Sequence, residues 1–216
     1  MQKLKTILFD MDGVVIDSEK LHLHAMGLTL EQHGIEYTQS FLNGYVGRSD
    51  ESFFRYVHEN MDNSHSIEEL IKEKNAFFED LLKELEYVEG FTDFIQKVKT
   101  IKLQTGLVTS SSLFTVGKVD RQLKVTSFFD IVITEEDTPK HKPNPDPYLL
   151  ALQNLEADNR STLIIEDSIN GIISGKAAGC RVAGITTSFD AETLRDAGAD
   201  YVIDSFSNLQ IEANLS

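Results

Sequence analysis

The sequence predicts an α/β protein: a doubly wound parallel sheet with an all-helical domain inserted after its first strand. Two observations carry this. From residue 91 onward, short apolar runs bounded by polar loops alternate with amphipathic, helix-like stretches, whereas the chain from about residue 17 to 86 reads as helices only. The expected domains are therefore an α/β core made of 1–16 and 87–216, and a helical insertion over 17–86.

The strands are expected at Lys5–Phe9 (KTILF) and in the runs ending at Thr109 (QTGLVT), Thr134 (FDIVIT), Glu166 (TLIIE), around Ile185 (RVAGITT) and at Ile203 (DYVI). Each is short and apolar, as strands covered on both faces should be. Between them, helices are expected over Phe91–Thr100, Leu113–Leu123, Pro147–Leu155, Ser168–Ala178 and Ala191–Ala197, with Gly179 and Gly198 as C-terminal caps of the last two. In the insertion they are expected over Ser18–His33, Asp50–Glu59 and Ser66–Leu85, the last with Ser66, Glu68 and Glu69 favouring its start. Entry through Ile16–Ser18 and exit through Val88–Phe91 make two linkers and imply a hinge.

Composition narrows the function. The chain has 216 residues, 41% hydrophobic and 25% charged, enough to bury a core. Twenty Lys and Arg stand against 35 Asp and Glu, a formal charge of −15, so nothing attracts it globally to nucleic acid or an anionic membrane. The lone Cys180 cannot pair within the chain and reads as a buried structural thiol, which fits a reducing compartment. The first apolar run is cut at Asp10, too short for a leader or a membrane span, and a cytoplasmic protein is expected. Oligomeric state is silent in the sequence, with a monomer as the default.

In an open parallel sheet, ligands bind beyond the carboxyl ends of the strands, so the residues directly after each apolar run are the informative ones. After the first, Asp10 and Asp12 are two apart and can project to the same side of extended chain, about 6.5 Å apart. Two carboxylates in different surroundings can divide nucleophilic and acid/base roles. Asp12-Gly13 between apolar runs is also a hairpin signal. After the second run, Thr109, Ser110, Ser111 and Ser112 offer hydroxyls and N–H groups where a helix begins, suited to a phosphate or simply to capping. After the third, Lys142 is flanked by Pro143 and Pro145, which restrict the backbone around it. After the fourth, Glu166 and Asp167 offer oxygen ligands to a hard cation; helix capping would explain Asp167 but not Glu166. Four strand ends together supply what neutralises and orients a phosphoryl group.

Other signals fail. Gly171–Lys176 (GIISGK) is one residue short of a phosphate-binding Walker loop and lacks the following Ser or Thr. His22 and His24 do not share a helical face, and neither HExxH nor GxSxG occurs.

The motifs DMDGV, VTSS, KPNPD and EDSINGI, in that order, resemble those of the haloacid dehalogenase (HAD) superfamily of phosphatases, and within it the beta-phosphoglucomutase-like group with a helical cap. The resemblance spans nearly the whole chain and implies a HAD-like Rossmannoid core. It implies that Asp10 becomes an aspartyl-phosphate, that Asp12 moves the proton, and that Thr109, Ser110 and Lys142 hold the phosphoryl oxygens. Mg²⁺ would be bound by Asp10, the Asp12 carbonyl and Asp167, with Glu166 joining directly or through water. The partner implied is a small phosphorylated metabolite. Asp12 argues for phosphate esters over the superfamily's dehalogenases, which resemble this pattern without that residue.

Cap residues separate a phosphatase from a phosphomutase. His22 and Lys74 stand where the mutase has its cap and hinge residues, and Gly47-Arg48 where it has its cap loop. The mutase pattern places an arginine three residues after the loop glycine; here that place is Asp50, a charge that would oppose a second phosphate. Phosphatase therefore ranks first, beta-phosphoglucomutase second, and a non-catalytic binding or regulatory protein on the same fold third.

Overall fold

The computed structural model describes residues 3–46 and 50–209. Two compact units divide it, one of Met1–Asp17 with Glu86–Ser216 and one of Ser18–Leu85.

The core unit is built on a sheet whose strands are β1 (Thr6–Phe9), β2 (Gln104–Val108), β3 (Ile131–Ile133), β4 (Thr162–Glu166), β5 (Arg181–Ile185) and β6 (Tyr201–Ile203). Their spatial order is β3-β2-β1-β4-β5-β6, and every pairing is parallel. The chain winds outward from β1 in one direction and from β4 in the other, so the topological switch lies between β1 and β4, where such sheets open a crevice. The hairpin suggested by Asp12-Gly13 does not form. Instead the N–H groups of Val15 and Ile16 both donate to the Met11 carbonyl, and Ile16 makes an antiparallel bridge to Tyr87. Asp17 N–H donates to the Glu86 carbonyl and Val88 N–H to that of Val15, which joins the entry and exit of the insertion side by side.

The insertion unit holds α1 (Glu19–Gln32), α2 (Gln39–Asn43), α3 (Asp50–Asn60) and α4 (Ile67–Leu81) around a core of Met26, Leu30, Leu42, Phe53, Phe54, Val57 and Leu70. The start of α4 is a capping box: Ser66 Oγ accepts from Glu69 N–H and the Glu69 carboxylate accepts from Ser66 N–H. The helix stops four residues short of the expected Leu85 and gives way to a 3₁₀ turn, Leu82–Glu84. α2, capped by Thr38, has only five residues, too few for a periodic signal in sequence.

In the core unit, α5 (Phe91–Thr100), α6 (Leu113–Leu123), α7 (Asp146–Asn154), α8 (Ile169–Ala177) and α9 (Ala191–Asp196) alternate with the strands. The period of two in β1 splits its side chains between two layers. Leu8 joins Val108, Ile133, Ile164 and Val182 beneath Tyr148, Ala151 and Leu152 of α7 and Ile172 of α8. Phe9 points the other way, into edge-on contact with Phe91 and Phe94 of α5 and a tilted contact with Phe129. Burial on both faces explains why β1 and β4 carry no exposed residue. Among the described residues no helix is long and apolar enough to cross a membrane.

Cys180, between α8 and β5, is 3% exposed, and its burial pushes the thiol pKa up to about 12, with Lys176 opposing and Asp158 adding to the rise. A thiol so raised stays protonated at pH 8, so native protein should not react with a disulfide reagent there, and one equivalent should react once guanidinium unfolds it. Absorbance of the released thiolate checks this; rapid native reaction would place Cys180 at the surface.

Candidate active site

Register fixes which strand ends lie together. Phe9 stands opposite Leu107 of β2 and Ile165 of β4, so Asp10, Thr109 and Glu166 come out at one edge of the sheet. Asp10 N–H donates to the Ile165 carbonyl at 3.0 Å and Thr109 N–H to that of Ile133 at 3.0 Å, so the ladder holds both residues at their backbone.

Lys142, in the loop between β3 and α7, reaches this edge from the side. Its Nζ donates to Asp10 Oδ1 at 2.5 Å, to Glu166 Oε1 at 2.6 Å and to the Val108 carbonyl at 2.9 Å, which uses all three N–H bonds of an ammonium. Its side chain is 5% exposed. Burial works against the charge, but Asp10 and Glu166 more than reverse that and hold Lys142 protonated above the ordinary lysine range.

Glu166 is wholly buried and has both oxygens engaged. Oε1 also accepts from the Tyr148 hydroxyl at 2.7 Å, and Oε2 from Ser168 Oγ at 2.9 Å and Ser168 N–H at 3.3 Å. Gly171 makes room for it, since a Cβ there would fall 1.8 Å from the carboxylate. Tyr148 went unnoticed in the sequence because an aromatic on the first turn of a helix reads as core. It is core, with its ring 5.0 Å from Lys142 Nζ and its hydroxyl turned to the site. Burial, followed by the Glu166 charge, lifts the phenol well above its usual pKa.

Asp10, Glu166 and Asp167 each bring a carboxylate oxygen within 4.8 Å of the others. Burial above all, opposed by Lys142 and reinforced by Glu166 and Asp12, raises the Asp10 pKa to about 7. Burial and the charges of Asp10 and Glu166 likewise raise Asp167, with Ser188 opposing. Three clustered carboxylates, two of them paired with the Lys142 ammonium, make an oxygen-only donor set short of positive charge, and a hard divalent cation fits that set.

The hydroxyls after β2 divide their work. Thr109, 3% exposed, accepts from Ser111 N–H at 2.9 Å. Ser111 Oγ donates to Asp12 Oδ2 at 2.9 Å, and Ser112 caps α6 by accepting from Thr115 N–H. Ser110 is exposed, and the hydroxyl brought to Asp12 is that of Ser111, which the sequence offers in the same run but which the family resemblance does not single out.

Residues 7–185 match the family model of the haloacid dehalogenase-like hydrolases. The chain belongs to that family. A phosphorylated-carbohydrate phosphatase of Thermotoga maritima is 31% identical to this hydrolase over 91% of the chain and 92% of its own length. A validoxylamine A 7′-phosphate phosphatase of Streptomyces hygroscopicus is 30% identical over 89% of the chain and 91% of its own. A solved Thermotoga maritima structure assigned as a beta-phosphoglucomutase superposes with a TM-score of 0.80, at 26% identity, over 93% of this chain and 94% of that one. The family contains both phosphatases and mutases, and by this kinship the chain is a phosphohydrolase.

In the insertion of the hydrolase, Lys74 of α4 is wholly buried. Its Nζ lies 2.6 Å from His22 Nδ1 of α1 and donates to Asp50 Oδ2 of α3 at 2.8 Å. The His22 ring stacks on Phe78, centroids 4.1 Å apart. Asp50, expected to oppose a charged substrate, spends its charge on Lys74. Gly47 and Arg48 lie outside the described residues.

Removing one member of a buried charge set strands the others, at a cost of about 3–5 kcal/mol. Lys142→Met, which keeps most of the volume, should destabilise metal-free protein by roughly that amount. Urea unfolding in chelator checks it; a loss under about 1 kcal/mol would mean that the carboxylates are relieved by something other than Lys142.

Proposed function

We propose that the protein is a Mg²⁺-dependent phosphatase of small phosphate monoesters, a sugar phosphate or similar metabolite, with Asp10 as nucleophile and Asp12 as general acid and base. The observation that carries the proposal is the Asp10 carboxylate at the end of β1, bonded at 2.5 Å to Lys142 inside an oxygen-only cluster. A carboxylate attacks a phosphoryl group only where the charge of both is neutralised. The cation would be held by Asp10, Asp167 and the Asp12 carbonyl, with Glu166 behind them. When bound it supplies charge neutralisation at the phosphoryl oxygens.

The residues then divide the reaction. An Asp10 oxygen forms a bond to phosphorus as the ester P–O bond breaks, and the leaving oxygen takes a proton from Asp12. Asp12 next removes a proton from water, whose oxygen attacks phosphorus, and the bond to Asp10 breaks to release phosphate and restore the carboxylate. Ser111 orients Asp12 through their hydrogen bond. Lys142 stays between Asp10 and Glu166, facing the phosphoryl oxygens together with the Thr109 and Ser110 loop.

A phosphomutase on the same fold is the second reading, supported by the solved relative assigned to that activity. Against it stands the pairing of Lys74 with Asp50, which leaves that ammonium neutralised within the insertion rather than available to a second phosphate.

Activity should vanish on thorough chelation and return with Mg²⁺. Among phosphorylated metabolites at least one should release phosphate faster than beta-glucose 1-phosphate, with a trace of its bisphosphate, isomerises. A phosphate-release screen run beside a coupled isomerisation assay checks both, and isomerisation without release would establish the mutase. Asp10→Asn should lower turnover by at least about a thousandfold, since an amide is a poor nucleophile. Asp12→Ala should slow it about 10²- to 10⁴-fold and let phosphoenzyme accumulate from an aryl phosphate, a species that intact mass detects. Full activity in either variant removes that residue from its role.

A further inference from the structure

The loop after β5 carries two hydroxyls onto the carboxylate edge, in a stretch with no part in the four motifs. β5 ends at Ile185, and the chain passes through Thr186, Thr187 and Ser188 before Asp190 caps α9. Ser188 Oγ donates to Asp167 Oδ2. Thr187 Oγ1 donates to the Gly13 carbonyl at 2.6 Å and lies 3.5 Å from the same Asp167 oxygen. Thr187 and Gly13 are 174 residues apart and Ser188 and Asp167 are 21 apart, so neither bond is local capping.

Gly13 closes the other side. Its φ of +71° is left-handed, and a Cβ on it would fall 1.9 Å from Asp167 Oδ2 and 3.2 Å from Ser188 Oγ. One carboxylate oxygen is thus enclosed by a hydroxyl donor, a second hydroxyl and a bare Cα. Asp167 presents a carboxylate oxygen within 4.8 Å of those of Asp10 and Glu166. Thr187 ties the same loop to the turn that carries Asp12.

We propose that Ser188, assisted by Thr187, is a positioning residue for cation binding: it fixes the carboxylate of Asp167 and leaves it preorganised toward the oxygens of Asp10 and Glu166. The proposal rests on the assignment of Asp167 to the cation. Partners behind a metal ligand typically contribute about 10- to 100-fold in affinity, by fixing orientation before the ion arrives.

The test is Mg²⁺ titration of the metal-free full chain by calorimetry, for the parent, Ser188→Ala, Ser188→Cys, Ser188→Thr, Thr187→Val and Asp167→Ala. Ser188→Ala should weaken Mg²⁺ binding about 10- to 100-fold and Ser188→Thr should restore it to within about threefold. Ser188→Cys keeps the side-chain connectivity, in a slightly larger group with a weaker donor, and should fall between, as should Thr187→Val, and these two decide the matter if Ser188→Ala does not fold. Phosphate release by Ser188→Ala should keep rising with added Mg²⁺ over a range where the parent is saturated, while metal-free melting temperatures stay together; a loop anchor with no role toward the cation would shift melting alone. Mg²⁺ affinity of all Ser188 and Thr187 variants within about twofold of the parent, with Asp167→Ala unable to bind, would overturn the positioning role and leave the cation assignment standing. Undiminished binding by Asp167→Ala would overturn both.

Discussion

The ammonium of Lys142 joins the ends of β1, β2 and β4: it touches a carboxylate after the first, a carbonyl at the end of the second and a carboxylate closing the third. Bringing Asp10 and Glu166 out of water costs several kcal/mol per charge unless each is paired and hydrogen-bonded. Nearly everything around the site serves that requirement. Tyr148 and Ser168 complete the bonding of Glu166, Gly171 gives it space, and the Val108 carbonyl takes the third N–H of the lysine. Burial, opposed by Lys142 and reinforced by Glu166 and Asp12, still raises the Asp10 pKa, and the acidic cluster around it offers oxygen ligands of the kind that suit a hard divalent ion.

The sheet makes this cluster possible because parallel strands in register bring remote parts of the chain to a common edge. Asp10 and Lys142 are 132 residues apart, and Thr187 and Gly13 are 174 apart. Beneath the edge, β1 is packed on both faces, with Leu8 in one apolar layer and Phe9 in an aromatic one. Close-packed layers of this kind resist displacement, so the strand ends form a rigid platform for groups that must be placed to within tenths of an ångström. The insertion leaves and rejoins the core through adjacent backbone at Ile16 and Tyr87, so the 68 residues of Ser18–Leu85 interrupt the chain without interrupting the sheet.

The insertion unit also handles a buried charge, by other means. Lys74 is enclosed by helices and compensated by Asp50, with His22 beside it and Phe78 beneath. In the sequence Asp50 had only its sign, and a negative charge in a loop region suggested repulsion of a substrate. Its partner, 24 residues on, sits on another helix, and this pairing turns a repulsive charge into a compensating one.

What the amino-acid order alone determined is the set of elements and the residues that follow them. Apolar runs of four or five residues between polar loops are too short for the usual helix and read as buried strands, and alternation with amphipathic helices points to a parallel sheet, so Asp10, Thr109, Glu166 and Asp167 could be placed at strand ends, and Lys142 in the loop after the third strand, without coordinates. The tertiary structure decided who meets whom. Ser111 rather than Ser110 reaches Asp12, Tyr148 binds Glu166, and Thr187 and Ser188 close on Asp167. Serine, threonine and tyrosine have common local uses as caps and core residues, so nothing in their sequence neighbourhood marks them for a distant carboxylate. Their partners are set by strand register and helix packing, which sum over the whole fold and leave no local trace.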